Sequence, residues 1–139
     1  MRTVFASSLL RKALVADAVV SGAVAALQLA MPQALSRLLL LPRGLLVETG
    51  MFLVAYTLLL VLLARSVKVW SGLIALVVLG NIAWAVGCAM LLGTGYLKPG
   101  ALGIAFVAVQ AVTVLVFAGL EYLGLRGSLR APSAGMART

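Results

Sequence analysis

The chain has 139 residues, 64% of them hydrophobic, and a mean hydropathy of +1.20, far above the about 45–50% apolar content of a soluble domain. Its formal charge of +8 does not point to nucleic acid, because the bases lie between apolar runs instead of forming a dense patch interleaved with aromatics; membrane-flanking loops and anionic headgroups account for them. The absence of histidine removes the commonest metal ligand, the usual haem ligand and the most frequent general base, so most enzyme classes and any cofactor or metal site are not expected.

Residues 1–12 carry Arg2, Arg11 and Lys12 and are expected to form a cytoplasmic N-terminus. The apolar run that follows is too long for a secretory signal, contains Asp17 and Gln28, and lacks a small-x-small cleavage site before Pro32, so it reads as an uncleaved first transmembrane helix. Four such runs, residues 13–31, 44–64, 71–92 and 101–123, are each close to the roughly 20 residues that cross about 30 Å of hydrocarbon. None sustains a two-residue alternation, which leaves helices as the way to satisfy every backbone amide in lipid. The expected fold is an all-α membrane protein, an antiparallel four-helix transmembrane bundle over residues 13–123.

Between the first two runs, residues 32–43 are bracketed by Pro32 and Pro42. Leu35, Leu38 and Leu39 would share one helical face opposite Gln33, Ser36 and Arg37, which predicts a short interfacial helix, with a loop covering the bundle end as the alternative. Trp70 after the second connection and Tyr96 in the third are placed as headgroup-level anchors. Residues 124–139, polar and rich in small residues, are expected to be a flexible cytoplasmic tail. Arg2, Arg11, Lys12, Arg65, Lys68, Arg126, Arg130 and Arg138 fall on one side, against Arg37, Arg43 and Lys98 on the other, so both termini should be cytoplasmic.

Polar residues inside the apolar runs are the candidate site: Asp17, Gln28, Glu48, Asn81, Trp84 and Gln110. Asn81 and Gln110 each lie roughly 14–15 Å into their helices by helical rise, which predicts an Asn81–Gln110 hydrogen bond locking the last two helices. Gly80, Ala83 and Gly87 form a small stripe beside Asn81, expected to pack tightly inside the bundle or against a second protein. Trp84 would need an acceptor for its indole N–H, such as Gln110. Asp17 is about 6 Å below the expected start of its helix, on a stripe with Ser21, Ala25 and Gln28, where Lys12, Arg65 or Lys68 could neutralise it. Glu48 is equally shallow at the opposite end, near Arg43 and Lys98, and Glu121 is expected to be interfacial. Cys88, the lone cysteine, is read as packing.

The Arg-rich start, Asp17, the Pro- and Leu-rich first connection and Asn81-Ile82-Ala83-Trp84 together resemble a group of small uncharacterised four-pass bacterial integral membrane proteins. That resemblance implies a multi-pass location in the bacterial inner (plasma) membrane and no particular activity. Size and an acidic residue in the first of four helices also resemble the small multidrug resistance proteins, although Asp17 is shallower, the first connection longer, and an aromatic-rich chamber is not expected at 6% aromatic content. The leading functional expectation is a non-enzymatic accessory or scaffolding subunit of a membrane complex, with the lipid bilayer and a homo-oligomer or larger complex as partners. The alternative is a small ion-coupled transporter using Asp17, Glu48 or both.

Overall fold

The computed structural model describes residues 2–130. The elements run β1 (Thr3–Phe5), α1 (Ser8–Ala30), α2 (Pro32–Leu39), α3 (Arg43–Arg65), β2 (Lys68–Trp70), α4 (Ser71–Gly93) and α5 (Ala101–Arg130). Among the described residues four helices, α1, α3, α4 and α5, are long and apolar enough to cross a membrane. The protein is an all-α membrane bundle with the short α2 between its first two spans.

Local chemistry sets the element ends. The Ser7 side chain accepts from the Leu10 backbone N–H and caps α1, so the helix starts before the apolar run does. Pro32 opens α2 without a donor to lose. That helix stops at Leu40, whose left-handed backbone (φ 54°) ends the turn before Pro42. Leu35 and Leu39 of α2 are buried while Leu38 is exposed, so the inward face is narrower than the three leucines predicted. Gly95, at φ 67°, turns the chain between α4 and α5, a conformation that glycine adopts without a Cβ penalty.

Two features depart from the expected boundaries. The N-terminus is not free: Thr3, Val4 and Phe5 pair antiparallel with Trp70, Val69 and Lys68 in a two-stranded ribbon, and Val4 and Val69 are buried there. Residues 124–130, expected in the tail, continue α5, because Gly124, Leu125 and Ser128 carry its buried face onward at three- and four-residue spacing. Ser7 N–H donates to Ser128 Oγ and Ser7 Oγ donates to the Gly124 carbonyl, tying that extension to the α1 cap. The remainder of the expected tail, residues 131–139, lies outside the described residues.

The spans are arranged α3, α1, α5, α4: α1 packs on α3 and on α5, and α4 packs on α5, whereas α3 and α4 scarcely approach each other despite their short connection. Close contact comes from glycines other than those of the predicted stripe. Gly22 and Gly50 admit α3 against α1, and Gly124 admits the Leu10 backbone of α1 against α5. Gly80 and Gly87 have open space where a Cβ would be, and Gly80, Ala83 and Gly87 are exposed; the stripe faces the unfilled α3–α4 seam and does not pack inside the bundle. An apolar cluster including Leu10, Leu14, Leu60, Ile74 and Val77 fills the ribbon end. A second one, with Leu35, Leu39, Leu46 and Val107, fills the α2 end.

Candidate functional site

Between these two clusters lies a layer of polar side chains drawn from all four spans. Asp17 is nine residues from the start of α1, Asn81 ten from the start of α4, and Tyr56 and Glu121 nine from the ends of α3 and α5. At about 1.5 Å of rise per residue, all four are roughly 14–15 Å from the ribbon end of the bundle. Asp17 and Glu121 are 0% exposed and Asn81 is 2% exposed.

The Asn81 amide is the hub. Its Nδ2 donates to Asp17 Oδ2 at 3.0 Å and to Glu121 Oε2 at 3.1 Å. Ser21 Oγ, one turn along α1, donates to Asp17 Oδ1 at 2.8 Å. The Tyr56 hydroxyl is 3.0 Å from Asp17 Oδ2 and 3.1 Å from Asn81 Oδ1, but a phenol has one hydrogen and can donate fully to only one of them. With a proton on Asp17 Oδ2, Asp17 would donate to the Tyr56 oxygen and Tyr56 to Asn81 Oδ1, and both short contacts would be hydrogen bonds. Glu121 Oε1 is buried and has no hydrogen-bond partner among the described residues.

Both carboxyl oxygens sit on one nitrogen, so they are no more than about 6 Å apart. Two full negative charges at that distance repel by roughly 3 kcal/mol or more at an effective dielectric of 20, in addition to the cost of dehydrating each. Their hydrogen-bond partners, Ser21, Tyr56 and Asn81, are neutral. The arrangement is therefore suited to hold one positive charge, either a proton or a monovalent cation.

A cavity of about 490 Å³ opens directly beside this layer, lined by Asp17, Ser21, Tyr56 and Asn81 on its polar side and by Phe52, Trp84 and Phe117 among its apolar walls. A second, of about 570 Å³, extends toward the α2 end past Gln28, Glu48, Thr49 and Cys88. Phe52, Gly80, Trp84 and Gln110 line both. Phe52 and Trp84 stack across the α3–α4 seam with ring centroids 5.7 Å apart and planes 12° from parallel. That stack and the Tyr56–Asn81 hydrogen bond bridge a seam that the helix backbones leave open. No Lys or Arg lines either cavity.

The structure thus unites Asp17 and Asn81 and corrects several expected pairings. Asn81 bonds to Asp17, Glu121 and Tyr56 instead of Gln110, which lines the cavities beside it. Glu121 is fully buried, not interfacial, because α5 runs on to Arg130. Asp17 is deeper than expected because α1 begins at Ser8, and its contacts are neutral; Lys68 lies over the Phe5 ring at 5.2 Å. Trp84 packs on Phe52, so its ring is held by stacking. Gln28 is buried apart from the layer and accepts from Thr49 Oγ1 at 3.1 Å. Glu48 is exposed along α3 at the second cavity. Phe52, Tyr56, Trp84, Phe106 and Phe117 converge on the two cavities, an aromatic lining that overall composition does not suggest. Phe52, Tyr56, Phe106 and Phe117 are not singled out by the sequence; for Tyr56 the available signal is a hydroxyl in the middle of an apolar run, where it must find a partner. Comparison with protein-family profiles, with curated proteins and with solved structures finds no match for this chain.

Proposed function

We propose that the protein is a small ion-coupled membrane transporter whose exchangeable ion site is the Asp17–Glu121 pair, with the proton as the coupling ion. The observation that carries this reading is the burial of two carboxyls on one Asn81 amide beside a cavity, with neutral partners throughout. Ionisable groups inside membrane spans are costly, and they are commonly retained for ion binding or proton transfer. Loading one proton satisfies the Tyr56 and Asn81 bonds, and losing it leaves two like charges that favour a rearranged layer or a replacement cation. Glu121, not Glu48, is the second acid in this reading. No chemistry on the substrate is involved in this reading, and the bacterial inner membrane with both termini cytoplasmic is the proposed setting.

An accessory or scaffolding role would use the open Gly80–Ala83–Gly87 face as its docking surface, but it supplies no reason to bury two acids without a base. The test is a pH step applied to proteoliposomes on a solid-supported membrane. Wild-type protein should give a transient charge movement that is absent from Asp17→Asn/Glu121→Gln. A wild-type protein that moves no charge, or a signal unchanged in the double variant, rejects the proposal.

A further inference from the structure

We infer that the ribbon end of the bundle is a docking surface for anionic phospholipid headgroups, held by the basic side chains around the β1–β2 ribbon. The inference is independent of the transport reading. Arg2 precedes β1 and Lys68 opens β2, Arg11 and Lys12 stand near the start of α1, and Arg65 ends α3. Arg126 and Arg130 join them from α5, because the close approach of Gly124 to the Leu10 backbone and the Ser7–Ser128 hydrogen bond bring its last turns level with the start of α1. All seven are exposed. None has an acid to pair with: the chain carries three carboxylate side chains, of which Asp17 and Glu121 are buried in the polar layer on neutral partners and Glu48 lies near the α2 end of α3. Lys68 and Arg126 instead lie over the Phe5 and Tyr122 rings, at 5.2 and 5.7 Å.

Charge complementarity sets the sign of the partner, and the surroundings of the bases set its kind. Leu9, Val67 and Leu129 are exposed among them, as are the rings of Phe5, Trp70 and Tyr122. Aromatic side chains favour the headgroup level of a bilayer, and Lys and Arg at that level attract anionic lipid. A phospholipid serves both in one molecule, its phosphate on the bases and its acyl chains on the apolar side chains. A soluble phosphate or a nucleic acid would meet the bases alone and make no use of the apolar groups between them. The opposite end offers no such surface, because Arg37, Arg43 and Lys98 share it with Glu48. The ribbon also fixes the bases in place: pairing sets Lys68 opposite Phe5, and the Arg2 carbonyl accepts from both Ser71 N–H and Ser71 Oγ.

The probes are phosphatidylglycerol and phosphatidylcholine with brominated acyl chains, mixed in increasing proportion into bilayers that carry the full-length protein. Bromine quenches an indole that it touches. Trp84→Phe leaves Trp70, within the ribbon, as the remaining indole, and Trp70→Phe leaves Trp84, away from this end, as the reference. At Trp70 the quenching curves should give phosphatidylglycerol an association constant about fivefold above that of phosphatidylcholine, and at Trp84 a ratio near one. Arg2→Gln/Lys68→Gln/Arg126→Gln/Arg130→Gln should remove most of the preference at Trp70. Molar salt, which screens exposed charges, should do the same with the side chains unaltered, and so keeps the test decisive if the quadruple variant does not fold. Equal quenching by the two lipids at Trp70, a preference as large at Trp84, or a preference that survives charge removal or salt would each overturn the inference. Displacement of brominated phosphatidylglycerol by inorganic phosphate or by an RNA oligonucleotide at matched ionic strength would overturn it too, by assigning the bases to a soluble anion. None of these readouts needs ion movement, so loss of the pH-step signal would remove the transport reading and leave this one standing.

Discussion

Asn81 and Glu121 are joined by a 3.1 Å hydrogen bond in which the amide donates to Oε2, and the same nitrogen donates to Asp17 Oδ2 at 3.0 Å. This one side chain connects α4 to both α5 and α1. Asn81→Leu would leave Glu121 with no partner among the described residues and take an acceptor from Tyr56. Stranded buried polar groups cost about 1–3 kcal/mol each, so the variant should unfold markedly earlier in a detergent thermal melt. Adding Glu121→Leu to Asn81→Leu should recover part of the loss, since removing both partners costs less than stranding one. Equal or additive losses in the single and double variants would show that the bond is not what holds the layer.

The spans were legible because hydrocarbon thickness imposes their length on the apolar runs. Asp17 and Asn81 were legible as polar groups in need of partners. Their partner was not, because depth measured from apolar boundaries misplaces polar-ended helices. Ser8, Arg11 and Lys12 are helical yet hydrophilic, and α5 continues through Gly124 and Ser128 to Arg130; both shifts bring Glu121 and Asp17 to the level of Asn81. Which helices touch is a further matter that periodicity does not encode. A short connection suggests that α3 and α4 pack together, but the close approaches made by Gly22, Gly50 and Gly124 draw α1 between α3 and α5.

Neutralising one acid should separate folding from ion movement. If the layer holds one positive charge, Glu121→Gln removes the like-charge repulsion that follows loss of that charge, and its carbonyl oxygen can still accept from Asn81 Nδ2. The expected outcome is a Tm equal to or above that of wild type, together with loss of the pH-step charge movement. A large fall in Tm would mean that the fold needs the charge on Glu121, so that folding and ion movement are not separable at this residue.

The Phe52–Trp84 stack should register as a coupling across the seam. In a cycle of Phe52→Leu, Trp84→Leu and the double variant, an aromatic pair at this geometry should couple by about 0.5–1.5 kcal/mol. Stability would be read from reversible unfolding in mixed micelles. Additive losses would mean that the rings merely line the cavities side by side, and that the seam relies on Tyr56 and Asn81.

The two kinds of glycine should respond oppositely to a single methyl. A Cβ at Gly124 would lie 2.7 Å from the Leu10 Cα and 2.8 Å from its backbone nitrogen; backbone at that point cannot move aside as a flexible side chain could. Gly124→Ala must push α1 from α5 or disturb the Ser7 cap, and an overpacking cost of about 1–3 kcal/mol is expected. At Gly80 the same methyl meets nothing, so Ala should stabilise α4 by up to about 1 kcal/mol through helix propensity alone. Melting the two variants side by side tests the helix order directly. If Gly80→Ala is the damaging change and Gly124→Ala the neutral one, then α4, not α1, makes the close contact, and the open α3–α4 seam is misplaced.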